Sequence, residues 1–137
     1  MISVEIEMIV RLLVAVVLGI LVGVEREISH RPAGLRTHAL VSLGACLFTI
    51  ISIYHFDIDP ARIAAGIVAG IGFIGAGSII AAKGQVQGVT TAASLWCVAA
   101  IGLAAGVGDY VLAVVSAVLV FGILWLKRAK TTRRDTV

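Results

Sequence analysis

Apolar residues gather in five blocks along the chain, each near the roughly 20 residues that a bilayer core requires. The blocks run from about Met8 to Val24, His38 to Tyr54, Ile63 to Ala82, Val89 to Val107 and Tyr110 to Leu126. Most charged residues fall in the short stretches between blocks, so consecutive helices are expected to be antiparallel neighbours. The expected fold is all-α: about five transmembrane helices in a compact, glycine-rich bundle over residues 1–126, then a basic tail over 127–137. The first block is expected to be a retained helix, because Met1 to Met8 carries Glu5 and Glu7 but no Lys or Arg. Composition agrees. The chain is 60% hydrophobic and 14% charged, with mean hydropathy +1.09, against about half and a quarter in soluble domains.

Charge in the connections sets an orientation. Alternate loops hold nine Lys and Arg on one side: Arg26, Arg31 and Arg36, then Lys83, then the tail with Lys127, Arg128, Lys130, Arg133 and Arg134. The other side holds Arg62 beside Asp57 and Asp59, and a turn with Asp109 alone. The positive-inside rule puts the nine in the cytoplasm and the N-terminus outside. A helical hairpin of the last two blocks is the alternative. The tail reads as a topology anchor and an anionic-lipid contact rather than a nucleic-acid site, since no aromatic residues interleave with its charges.

Small residues recur at helical spacing. Gly19 and Gly23, Gly66 and Gly70, and Gly102 and Gly106 each place two glycines on one face, where helices approach closely. Gly70, Gly72, Gly75 and Gly77 spell GxGxxG by letter, but lie within an apolar block with no acidic residue about 20 positions on. They are read as packing glycines. Because they fall on more than one face, the third helix is expected to be central and shielded from lipid. Cys46 and Cys97 are read as small packing residues. Gly34 to Ala39 and Gly88 to Ala93 share three of six residues, which suggests a parallel repeat of helices two-three and four-five.

The candidate site is polar. Pro32-Ala33-Gly34 makes a turn that brings Arg36, Thr37 and His38 to the start of the second helix, where backbone N–H groups favour an anion. Glu25 and Arg26 close the first helix, and Glu25 is expected to pair with Arg36. Thr90 and Thr91 hold the equivalent place on the fourth helix, so these seven residues are expected to form one ligand-binding pocket at the cytoplasmic surface. Arg11 pairs with Glu7 at i, i+4 spacing. No acid falls near the middle of a block, and no nucleophile–base set, phosphate loop or metal-ligand cluster is present. The reading is therefore no enzyme, no cofactor and no metal site.

Four linked motifs, in order over Gly19 to Trp96, carry a resemblance. They are Gly19-xxx-Gly23-x-Glu25-Arg26, Ala33-Gly-Leu-Arg-Thr-His38, Gly70-Ile-Gly-Phe-Ile-Gly-Ala-Gly77 and Gly88-Val-Thr-Thr-Ala-Ala-Ser-Leu-Trp96. Together they resemble the MgtC/SapB family of bacterial inner-membrane proteins. The resemblance implies a five-helix inner-membrane domain and, in some members, a role in growth at low magnesium and survival inside host cells. It further implies regulation through contacts with other membrane proteins, such as F-type ATP synthase. Longer members carry a soluble C-terminal domain; this sequence ends eleven residues after Leu126. The expected function is that of a small regulatory or adaptor protein, with membrane lipid, other membrane proteins and further copies of itself as partners. An oligomeric ion or small-solute conductor, for magnesium among others, is the alternative.

Overall fold

The computed structural model describes residues 2–56, 59–80 and 86–132, with side chains over 3–56, 59–79 and 86–126. The described residues form five helices and no strand: α1 (Ile2–Ile28), α2 (Leu35–His55), α3 (Pro60–Ile80), α4 (Val89–Val107) and α5 (Tyr110–Thr132). Four of them are long and apolar enough to cross a membrane, and the apolar part of α5, Tyr110–Leu126, is shorter. The chain is a membrane protein with an all-helical fold. Residues 127–132, read as tail, continue α5. Asp57, Lys83 and residues 133–137 lie outside the described residues.

Local chemistry accounts for the helix ends. Pro60 opens α3 at a position where its missing N–H costs nothing. Asp109 starts α5, its Oδ1 accepting the Leu112 N–H at 3.0 Å. Gly108 closes α4 in the left-handed region at φ 89°, and its N–H reaches the carbonyls of Ala104 and Ala105. Gly34 and Gly88, the first residues of the two similar segments, both stand at helix N-caps but differ in conformation. α1 runs past Val24, because Glu25 and Arg26 are buried in its last turn rather than spread into a loop.

The centre of the bundle is α4, not α3. α4 touches all four other helices, whereas α3 rests on α4 and more lightly on α2. Over half of the α4 span is buried (56%), against 11% of the α3 span. Glycines explain the tight side of the bundle. A methyl at Gly19 would come within 2.8 Å of the His38 carbonyl oxygen, and one at Gly23 within 2.7 Å of the Leu35 Cα. Gly102 and Gly106 seat α4 on α2 in the same way, at 2.2 Å from the Ser42 oxygen and 2.6 Å from Thr49.

The α3 glycines behave otherwise. Gly75 makes an ordinary contact with Ala92, but Gly66, Gly70, Gly72 and Gly77 have nothing within 4 Å of where a Cβ would stand. Among the described residues these four pack against nothing. Glycine spacing makes a close approach sterically possible; it supplies no neighbour to make it.

Candidate functional site

α1 ends, and α2 and α4 begin, at the same end of the bundle. Leu18 and Val22 of α1 meet Cys46, Val98 and Ile101 in the core, and polar groups take over toward this end. Glu25, Arg26, His38, Ser42, Thr91 and Ser94 are all buried there. At membrane depth, groups of this kind face protein or a polar cavity and find partners.

Glu25 accepts hydrogen bonds from the Arg26 Nε and from the Ser29 hydroxyl, the latter at 2.7 Å. The expected Glu25–Arg36 pair is therefore not made. Arg36 points outward and is exposed, while Arg26, one residue from Glu25, is held against it in the bundle. Nor is the N-terminus of α2 open to an external anion. Glu27 reaches back across the turn, and its Oε2 accepts the Leu35 N–H at 2.9 Å.

His38 joins α2 to α4. Its Nδ1 faces the Gly34 carbonyl at 2.9 Å and so carries a hydrogen, and its Nε2 meets the Ser94 Oγ at 2.9 Å. The Ser94 hydroxyl also lies 2.8 Å from the Thr91 carbonyl. Its single hydrogen has two acceptors to serve when the ring is neutral.

Two cavities flank this network. The first, about 400 Å³, lies at the start of α4 and is lined by Arg26, Arg31 and residues Val86 to Thr91. It unites Arg26, Thr90 and Thr91 of the expected site and adds Arg31. His38 stays behind it in the packed core, and Thr37 faces the second cavity instead. That second space, about 810 Å³, is an apolar groove between α2 and α3, lined by Gly44, Phe48, Gly66, Gly70 and their neighbours, with Arg62 and Thr37 among the few polar groups. Among the described residues neither lining includes Asp or Glu, the source of the carboxylate oxygens that Mg²⁺ sites use. Among the described residues, no three His, Cys, Asp or Glu come together to hold a metal.

A third buried charge is one that the sequence spacing predicts only as a local ion pair. Arg11, on α1 at the opposite end, donates from Nη2 to Glu7 and from Nη1 to the Gly106 carbonyl at 2.8 Å. It lies 5.6 Å over the Tyr54 ring of α2, and its Nε has no hydrogen-bond partner among the described residues. Its intramembrane position was the available signal, since such a charge implies a partner on another helix.

The family model described as "MgtC family" matches residues 12–133. The YhiD protein of Escherichia coli (strain K12) is 42% identical over 127 residues, covering 86% of this chain and 59% of its own length. Protein MgtC of Salmonella typhimurium (strain LT2) is 46% identical over 112 residues, covering 82% of this chain and 48% of its own. Protein slr0014 of Synechocystis is 47% identical over 115 residues, covering 83% and 49%. The chain thus spans about half the length of the curated relatives it matches. No solved structure gives a significant match.

Proposed function

Since this chain belongs to the MgtC family, we propose that it is a small regulatory or adaptor protein of the bacterial inner membrane. It acts by presenting a helix face to other membrane proteins. The observation that carries this reading is α3: Gly66, Gly70, Gly72 and Gly77 leave its backbone bare, and among the described residues nothing lies within 4 Å of where their side chains would begin. Bare backbone of this kind admits a neighbouring helix at close range, where van der Waals packing drives association in lipid. The resemblance suggests F-type ATP synthase as one such partner. The name of the YhiD relative raises magnesium transport for that protein. For this chain, the tight α1–α2–α4 seam and cavities whose described linings hold no carboxylate favour the regulator.

The test replaces Gly70 or Gly77 with Leu. Each variant is expected to fold as the wild type does, because the site is open, and to lose association with its membrane partners or further copies in crosslinking. Association unchanged in both variants, together with Mg²⁺ flux by the purified protein in liposomes, would give the conductor reading the advantage.

The proposed orientation places the α1–α2 turn and the start of α4 in the cytoplasm. With the native cysteines replaced, Val86→Cys is expected to react with a membrane-impermeant maleimide only after the cytoplasmic side is opened. Phe56→Cys is expected to react in intact cells. Both positions are exposed. The reverse pattern would invert the orientation.

A further inference from the structure

The cavity at the start of α4 has no place in the proposal about α3, and its lining has a definite chemistry. From it we infer a binding site for a phosphate-type oxyanion, held by Arg26 and Arg31. The inference stands whether the chain regulates or conducts.

Arg26 carries the argument. The residue is 2% exposed and lines the cavity. A buried charge is costly unless it is both paired and hydrogen-bonded. Among the described residues, the Arg26 side chain makes one hydrogen bond, from Nε to Glu25. Four of the five N–H groups of the guanidinium are left for another acceptor. Glu25 offsets one positive charge from outside the lining, and Arg31 contributes a second from the cavity wall. The balance among these three groups is one positive charge.

The rest of the lining selects the same class. Thr90, Thr91 and Gln87 bring hydroxyl and amide groups, and among the described residues no lining residue is a carboxylate or an aromatic ring. A divalent cation would meet two arginines, and a nucleobase would find nothing to stack on. The N-cap of α4, Gly88, makes no side-chain hydrogen bond, so the first N–H groups of that helix add partial positive charge to the same space. Paired arginine forks with hydroxyl donors match the geometry of a tetrahedral oxyanion. Free phosphate and the phosphodiester of an anionic lipid share that chemistry.

The experiment uses the full chain in nanodiscs. Arg31→Gln and Thr90→Val are the variants, because both side chains are exposed and neither makes a hydrogen bond among the described residues. In phosphatidylcholine discs, equilibrium dialysis with radiolabelled inorganic phosphate is expected to show binding that falls about tenfold in Arg31→Gln, as loss of a charge-assisted contact does. A smaller fall is expected in Thr90→Val. If phosphate does not bind, but the wild type retains phosphatidylglycerol over phosphatidylcholine in native mass spectrometry and Arg31→Gln does not, the site holds and its source is lipid. If neither probe's binding drops in Arg31→Gln, the inference is overturned.

Discussion

Gly102→Ala is expected to unfold or grossly loosen the bundle, although it adds one methyl group to a helix interior where alanine is the better helix former. The methyl would stand 2.2 Å from the Ser42 carbonyl oxygen and 2.9 Å from the Ser42 Cα. Both are backbone atoms of α2, so no side-chain rotation relieves the clash, and α4 must move off α2 as a body. The cost is expected at or above about 3 kcal/mol, the upper end for overpacking. Gly44→Ala and Gly122→Ala are the matched controls. Each has nothing within 4 Å of the added carbon, and each is expected to be neutral or to gain up to about 1 kcal/mol of helix propensity. Unfolding in mixed micelles, followed by circular dichroism, reads the difference. A Gly102→Ala curve overlying those of the controls would mean that the α2–α4 seam is not as close as described.

That contrast marks where sequence reasoning reached and where it stopped. The five helices were legible because bilayer length and loop polarity are local properties, and the observed ends differ mainly where polar residues continue a helix. Which helix sits at the centre is not local. Gly66 and Gly70 have the same spacing as Gly102 and Gly106, yet only the second pair meets a neighbour. A better signal was present in the polar residues. His38, Ser42, Thr49 and Ser52 recur at three- and four-residue steps on α2, with Cys46 between, and Thr91 and Ser94 begin such a row on α4. All are buried. A polar stripe within a span faces protein rather than lipid, whereas the polar residues of α3 are confined to Arg62 and Ser78 near its ends. Weighing polar position above glycine count would have put α4 inside.

The candidate site was legible in part for a related reason. Arg26, Thr90 and Thr91 line one cavity because chain order brings the end of α1 and the start of α4 to the same end of the bundle. The pairing of Glu25 was misjudged, because a turn that brings Arg36 close says nothing about which way its side chain leaves the helix. Two adjacent residues of α1, Glu25 and Arg26, settle on each other inside the bundle and leave Arg36 outside. Glu27 then fills the role at the α2 N-terminus that had been reserved for an external anion.

Arg11→Leu is expected to be the most damaging substitution at the opposite end, although it makes α1 more apolar and would pass any hydropathy test for a better span. Arg11 is buried where α1, α2 and α4 converge. Its Nη1 satisfies the Gly106 carbonyl in the last turn of α4, where the helix dipole is negative and a cation is favoured. Its Nη2 holds Glu7, and the guanidinium lies over Tyr54, so one side chain ties three helices together. Leucine keeps the bulk but leaves the Gly106 carbonyl without its bond and Glu7 without its counter-charge. Glu7 is exposed and recovers water, so the main loss is the charge-assisted bond to the Gly106 carbonyl, about 1.5–3 kcal/mol. Arg11→Lys should fall between. It keeps the charge but cannot span Glu7 and Gly106 with one rigid fork. The measurement is again unfolding in mixed micelles, now with Glu7→Gln as a companion that removes only the exposed partner. If Arg11→Leu unfolds no more readily than Glu7→Gln, the bond to Gly106 contributes nothing, and Arg11 is the local ion pair that its spacing first suggested.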